Sequence, residues 1–528
     1  MPKHSPRRGL LAAGIAVLAL AVAAGAGAST RIVVLETGNT AAGLKAVKAA
    51  GGQVVTVNRK SGVATVRGND AFAKRLRATG EVDAVAPYAG WRLDTAEAPL
   101  AAQQFPSVGT QATGCAQQYQ PPGGTGVGPD PLSVCQWDMR MINASPTGSY
   151  AVNRGEGATI GIMDTGVDLT HPDVAPNLDV SRSCSFIRPS TPTSLPQEWE
   201  TTSNCATKSA VQDYAGHGTH VAGEAAAPIN GIGVAGVAPE ATIVGLKAGT
   251  AEGYFFTQEV VDALVYAGDQ RLDVVNMSFF ADPFLFNCKN ESEQRAIVKA
   301  ISRATRYAHQ RGVVLVASAG NEETDLDHPE VDVISPDYPP GSEEERPVGN
   351  ECVILPGELP WVQTISSVGP NRTLAFYSNW SNSKVDVTAP GGSSGQAPNP
   401  FGRVLNAWSS TAPFTAAANP TRTVEDCDPS GGCVYYAWIQ GTSMAAPHAS
   451  GVAAIIRSRY PNMPSSAVGA MLQNTAMPMA CGGEAEADAL FLLPGQEKRC
   501  TGNTNPAAHG QTNFYGNGLV DALAAATD

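Results

Sequence analysis

Ala158-Thr159-Ile160-Gly161-Ile162-Met163-Asp164-Thr165-Gly166 is an apolar run that stops on a carboxylate and a glycine turn. It reads as a strand whose last side chain projects into a cleft. Farther on, Gly216-His217-Gly218-Thr219-His220-Val221-Ala222-Gly223 puts a histidine at the mouth of a small-residue helix. Residues 273–278 and 313–317 read as further strands, and strands alternate with helices through most of residues 132–528. That alternation predicts an α/β fold: a parallel sheet with helices on both faces and reactive groups near the carboxyl ends of its strands.

Gly441-Thr442-Ser443-Met444-Ala445-Ala446-Pro447 sets a serine between small residues, ahead of an apolar helix from Met444 to Tyr460. Small neighbours leave the hydroxyl open, and a helix start aims free N–H groups and a positive dipole end at whatever the oxygen attacks. Asp164, His217 and Ser443 therefore occur in that chain order, each at the end of a regular element. Histidine can take the serine proton at neutral pH, while a buried aspartate fixes its tautomer and stabilises the imidazolium.

These three segments resemble the active-site segments of the subtilisin-like serine proteases (subtilases), whose Asp, His, Ser order is long established. The likeness extends to Asp273-Val274-Val275-Asn276-Met277-Ser278, to Ser318-Ala319-Gly320-Asn321-Glu322, to 386–391 and to 516–522, covering most of residues 136–525. It implies a subtilisin-like sheet with Ser443 as nucleophile, His217 as base and Asp164 orienting it. Asn321 and the Ser443 N–H would receive the oxyanion. Ser278, Phe279 and Phe280 would pair with an extended polypeptide substrate across from Ser318, Ala319 and Gly320. Phe280 and Ala281 stand where the family often has small glycines, which argues against a wide, open pocket.

The resemblance also implies a calcium site. Gln136, Asp173 and Asn230 would supply side-chain oxygens, completed by the carbonyls of Pro228, Ile232 and Val234, a hard-oxygen set suited to that ion. Other readings fall away. His220 lacks the His-Glu-x-x-His spacing of a helical zinc pair, and Gly231-Ile232-Gly233-Val234-Ala235-Gly236 follows a helix where a dinucleotide fingerprint follows a strand. The serine segment nearly matches the elbow of α/β-hydrolases. That order would crowd its acid and histidine, formally Asp488 and His509, behind the serine.

Toward the N-terminus, Lys3, Arg7 and Arg8 precede the apolar run Gly9 to Ala24, and Ala26-Gly27-Ala28 offers a small-residue cleavage site. Residues 1–28 read as a secretory signal peptide, too short in its apolar run to be a comfortable anchor. Residues 29–93 give the order β-α-β-β-α-β, a small ferredoxin-like α+β domain. It resembles the inhibitory propeptide of subtilases, so the chain's own N-terminal domain is an expected partner; a permanent accessory domain is the alternative. Residues 94–131, rich in Ala, Gln, Gly and Pro, read as a linker or processed extension, and 132–528 as the catalytic domain.

Ten cysteines suit an exported, oxidised protein. Cys427 and Cys433 flank a turn as a local pair. Neighbour pairing would give Cys115–Cys135, Cys184–Cys205, Cys288–Cys352 and Cys481–Cys500, although sequence does not fix connectivity. The stretches 181–212, 322–360 and 392–436 read as disulfide-pinned surface loops. A formal charge of −13 gives no reason to expect nucleic acid. The expectation is a secreted, monomeric endopeptidase made as an inhibited precursor, with no membrane span once the signal is removed. The rival is a catalytically silent binding module, which has no chemical need for Asp164, His217, Ser443 and Asn321 together.

Overall fold

The computed structural model describes residues 30–88, 115, 128–202, 204–280, 283–338, 341–412, 422–427, 433–482 and 499–528. The expected signal peptide, most of the expected linker, and Ala281 lie outside these.

At the N-terminus, β1 (Thr30–Leu35), α1 (Thr40–Ala49), β2 (Gln53–Asn58), β3 (Val63–Arg67), α2 (Asp70–Ala78) and β4 (Val82–Pro87) follow in order. The strands form an antiparallel sheet in the order β2-β3-β1-β4, the arrangement expected from the β-α-β-β-α-β pattern. Strand alternation gives this sheet two apolar faces. Val33, Leu35, Ala64, Val66 and Val85 pack on Phe72 and Leu76 of α2 and Val47 of α1. Ile32, Val34, Val63 and Ala86 instead join the core of the large domain, so the N-terminal domain is seated on it.

In the large domain, α3 (Trp137–Met141) leads to β5 (Thr159–Asp164), β6 (Cys184–Ser185), α4 (His217–Ala226), β7 (Thr242–Lys247) and α5 (Thr257–Gln270). Next come β8 (Val274–Met277), α6 (Ser292–Gln310), β9 (Val314–Ser318), β10 (Val362–Val368) and β11 (Val387–Pro390). Strands β12 (Val404–Trp408), β13 (Thr423–Cys427) and β14 (Cys433–Ile439) precede α7 (Thr442–Arg459). Seven strands form one parallel sheet in the order β11-β10-β9-β8-β5-β7-β6. Both faces are covered, so its strands are apolar on both sides. Val314 and Val316 pack with α4 and α7, while Leu315 and Ala317 pack with α5 and α6.

Disulfides join Cys115–Cys135, Cys184–Cys205, Cys288–Cys352 and Cys481–Cys500, and Cys427 stands opposite Cys433 in register. One reading needs correction. The stretch 392–436 is not simply a surface loop, because β12, β13 and much of β14 lie within it and form an antiparallel sheet in the order β12-β14-β13. Phe401, Leu405, Val424, Tyr436 and Trp438 bury together against Leu132, Ala227 and Val234. These aromatic and β-branched residues have strand propensity and a core of their own to fill.

Candidate active site

Asp164 ends β5 fully buried, and His217 opens α4. His217 Nδ1 and Asp164 Oδ1 are 2.8 Å apart, while the Thr165 N–H donates to the same oxygen at 2.7 Å. Nδ1 is therefore the protonated nitrogen, which leaves Nε2 bare to accept a proton. Burial pulls the His217 pKa down, but the charge and hydrogen bond of Asp164, helped by Asp213, raise it on balance. The two elements approach so closely that a Cβ on Gly218 would meet the Gly166 carbonyl at 2.1 Å.

Ser443 lies in the first turn of α7. Its Oγ donates to the Ser278 carbonyl at 3.2 Å, and among the described residues no hydrogen bond joins it to His217. Ser278 Oγ in turn donates to the Ser443 carbonyl at 2.7 Å and accepts from Asn276 Nδ2 at 2.8 Å. The end of β8 and the serine turn are thus laced together.

Asn321 follows β9 across from this turn. Its Oδ1 accepts from Thr442 N at 2.8 Å and from Thr442 Oγ1 at 2.9 Å. With the oxygen held, the amide nitrogen is the end that can meet a ligand. Gly320 donates its N–H to Thr442 Oγ1 at 3.1 Å. It has φ +105°, and a Cβ there would meet Asn379 Nδ2 at 2.3 Å, so only glycine fits.

The expected cleft walls are placed unevenly. Ser318 ends β9, while Ala319 is paired internally on both sides, its N–H with Ile365 and its carbonyl with Asn379. Phe279 is buried and stacks on Phe255 with ring centroids 4.2 Å apart. Phe280 packs into a separate cluster with Leu285, Phe286 and Ile354. Its bulk is therefore spent in that cluster.

At the expected calcium site, Asp173 is fully buried. Asn230 Nδ2, Val234 N and Tyr436 Oη donate to its carboxylate at 3.0, 3.0 and 2.9 Å. No hydrogen bond ends on the carbonyls of Pro228, Ile232 or Val234 among the described residues, so three oxygens remain for a cation. The amide oxygens are differently used: Gln136 Oε1 accepts from Ala235 N and Asn230 Oδ1 from Ile232 N. No group of three or more His, Cys, Asp or Glu gathers around a metal-sized site among the described residues. A buried carboxylate beside uncommitted carbonyls fits calcium, a hard cation.

Several site residues carried no sequence signal. Asp213 is fully buried and takes N–H bonds from Ala215, Gly216 and Thr219 and hydroxyl bonds from Thr165 and Thr219, tying the aspartate turn to the histidine helix. Lys247 and Glu198 form a fully buried pair at 2.7 Å, and Lys247 also donates to the carbonyls of Thr165 and Gln212. Asp130 accepts from Asn230 N and Gly231 N in the loop after α4. A lone acidic residue in a loop has nothing in its neighbours to mark it; the pattern exists only in three dimensions.

A family model described as the subtilase family, Peptidase_S8, matches residues 155–518. The chain is 26% identical over 389 residues to subtilisin BL of Lederbergia lenta, covering 74% of this chain and 97% of that protein. It is 28% identical over 321 residues to the major intracellular serine protease of Bacillus subtilis, covering 61% and 74%. Among solved structures, the epidermin leader peptide processing serine protease of Staphylococcus aureus aligns with a TM-score of 0.61 at 20% identity, covering 94% of this chain and 98% of that one. Fervidolysin of Fervidobacterium pennivorans aligns with a TM-score of 0.59 at 22% identity, covering 95% and 61%. At such identities these structures speak for the fold alone.

Proposed function

Since this chain belongs to the subtilase family and is a subtilisin-like serine protease, we propose that it is a secreted endopeptidase made as an inhibited precursor, with Asp164, His217 and Ser443 as its triad. Ser443 Oγ attacks the scissile carbonyl of a bound polypeptide while His217 Nε2 takes its proton. Asp164 holds the imidazole by Nδ1 and stabilises the cation that forms. The oxyanion is met by the Asn321 amide nitrogen and the Ser443 N–H. His217 then protonates the departing amine, and water releases the acyl group from Ser443 by the same steps in reverse. Ser278 and Phe279 on one side and Ser318 to Gly320 on the other are the proposed walls for the extended substrate. The 2.8 Å bond between His217 Nδ1 and Asp164 carries the reading, because it fixes which nitrogen faces the nucleophile.

The seating of residues 30–88 on α5 and α6 supports the N-terminal domain as an intramolecular inhibitor, cut free during maturation in the 94–131 stretch. The four disulfides among the described residues support an extracellular setting. Subtilases commonly bind structural calcium. Here Asp173 and the carbonyls of Pro228, Ile232 and Val234 would hold it, with Gln136 and Asn230 turning their amide oxygens inward. Bound there, it would offset the buried carboxylate and brace the loop after α4.

A fluorophosphonate label on the mature protein tests the reading. Wild type should be labelled, and Ser443→Ala should be unlabelled, unprocessed and lower in turnover by about 10⁶, the known cost of losing a subtilisin's nucleophile. Peptide hydrolysis by protease-free Ser443→Ala at the wild-type rate would overturn it.

A further inference from the structure

Tyr88 directly follows β4, yet its ring and hydroxyl are held by residues of the catalytic domain. The ring lies flat on Phe256, with centroids 5.1 Å and planes 10° apart. The hydroxyl donates to Glu259 Oε1 at 2.7 Å, an oxygen that also accepts the Thr191 hydroxyl at 2.6 Å. Glu259 is buried, and its Oε2 has no hydrogen-bond partner among the described residues. Tyr338 closes on the Phe256 ring edge-on, with centroids 5.5 Å apart, and on Tyr254 at 5.3 Å.

Each wall of this seat is anchored within the catalytic domain. Glu259 sits in the first turn of α5, and Phe256 immediately precedes that helix. Thr191 donates its N–H to the Arg188 carbonyl and accepts the Arg188 N–H at its hydroxyl, both at 2.9 Å, in a loop closed by the Cys184–Cys205 disulfide. Departure of Tyr88 would therefore bare a flat apolar face with a carboxylate at its far end. A side chain with an apolar body and a polar tip fits such a seat. Phenylalanine would cover Phe256 but leave the carboxylate without a donor, which is a costly omission. The seat also adjoins the cleft: Phe255, next to Phe256 in the chain, stacks on Phe279 of the proposed wall at 4.2 Å.

We propose that, given an N-terminal domain cut free as read above, the seat vacated by Tyr88 is a recognition site of the mature enzyme for a tyrosine side chain of its polypeptide substrate, bound upstream of the cleaved bond. The direction comes from the chain itself. Tyr88 lies on the N-terminal side of residues 94–131, where the maturation cut is proposed, so the precursor is the first substrate to place a tyrosine there. Such a tyrosine adds binding remote from the bond that breaks and touches no member of the triad.

The test gives mature wild-type enzyme a disordered polypeptide with tyrosines upstream of its cleaved bond, and a copy with phenylalanine in their place. The Michaelis constant should be about tenfold higher for the phenylalanine copy, the scale of one hydrogen bond to a charged group, with turnover little changed. In Glu259→Leu the two polypeptides should have equal Michaelis constants. Glu259→Gln, whose amide oxygen still accepts, should restore most of the difference. p-Cresol, the tyrosine side chain alone, should compete with the tyrosine polypeptide, and toluene far less. A chromogenic tetrapeptide, too short to fill both places, reports on the cleft by itself. Equal Michaelis constants in wild type, or a tyrosine preference that survives in Glu259→Leu, overturns the proposal; so does p-cresol that inhibits tetrapeptide hydrolysis as strongly. If Glu259→Leu does not mature, the two polypeptides and p-cresol still decide on wild type. A wild-type enzyme that leaves the tetrapeptide uncut refutes the peptidase reading instead, and hydrolysis with the N-terminal domain still bound refutes its removal.

Discussion

Raising the pH should loosen the N-terminal domain from the catalytic domain, and Glu259 of α5 should be the cause. Glu259 is buried under that domain. Its Oε1 accepts the Tyr88 hydroxyl at 2.7 Å and the Thr191 hydroxyl at 2.6 Å, while Oε2 has no hydrogen-bond partner among the described residues. The Tyr88 ring stacks on Phe256 at 5.1 Å and closes the site from water. Burial raises the Glu259 pKa from 4.5 to about 7 against those two hydroxyl bonds, with the charge of Asp262 one turn on adding to it. Asp262, bonded by Asn58 and Gln258 and facing the charge of Arg188, is raised by burial too. A group whose pKa is higher in the complex strengthens it fully below 4.5, and that gain is lost as the pH rises through 7. Glu259 alone then weakens the contact on the order of 10²-fold between pH 5 and pH 8. The assay is gel filtration of the chain after cleavage at its own maturation bond, at pH 5, 6, 7 and 8. The N-terminal domain should co-elute at pH 5 and separate toward pH 8; in Glu259→Gln it should stay bound throughout. Equal retention of the wild-type domain at every pH, or an unchanged profile in Glu259→Gln, refutes the argument. A domain whose release leaves activity unaltered at every pH would instead sink its reading as an inhibitor.

Glu198→Ala strands Lys247 in the core, so it should destabilise the protein by about 3–5 kcal/mol, seen as a fall in thermal midpoint. A shift within error would mean that water reaches the lysine. Asn321→Ala should lower turnover by roughly 10²–10³-fold with little change in the Michaelis constant, the general cost of one lost oxyanion donor in a subtilisin. A raised Michaelis constant at unaltered turnover would reassign it to substrate binding. Calcium at a hundred times its dissociation constant should add about 2.7 kcal/mol to the mature enzyme. Asp173→Ala should abolish that protection; if protection survives, the ion sits elsewhere.

The parallel sheet was legible because its signal is local: apolar runs of strand length ending in polar turns, repeated between helices. Asp164, His217, Ser443 and Asn321, the proposed reacting groups, stand out for the same reason, each sitting in a short segment whose small neighbours let it project. The N-terminal domain likewise declared its element order. Residues 392–436 did not, because their glycines, prolines and serines advertise a loop while the strands between them are short. The Phe280 ring was hidden for a different reason. A bulky residue after a cleft strand says nothing about which way its ring turns, and here Leu285, Phe286 and Ile354 offer it a core.

The residues that stayed hidden share one property: their partners are far away in the chain. Asp213 serves the Asp164 turn from 48 residues downstream of Thr165, and Asp138 meets His448 across 310 residues. Glu224 shares α4 with His217, Thr219 and His220, and nothing in its neighbours marks it out. In fact the whole of α4 is buried, so that glutamate has no water to face. Once burial is known, a charged side chain on such a helix must find a partner or take up a proton. His220 and His448 lie beside it, where the helices of His217 and Ser443 meet. Sequence can therefore name the groups that react, because reactivity demands local exposure. It cannot name the groups that hold them in place, because those are defined by what the fold brings to them.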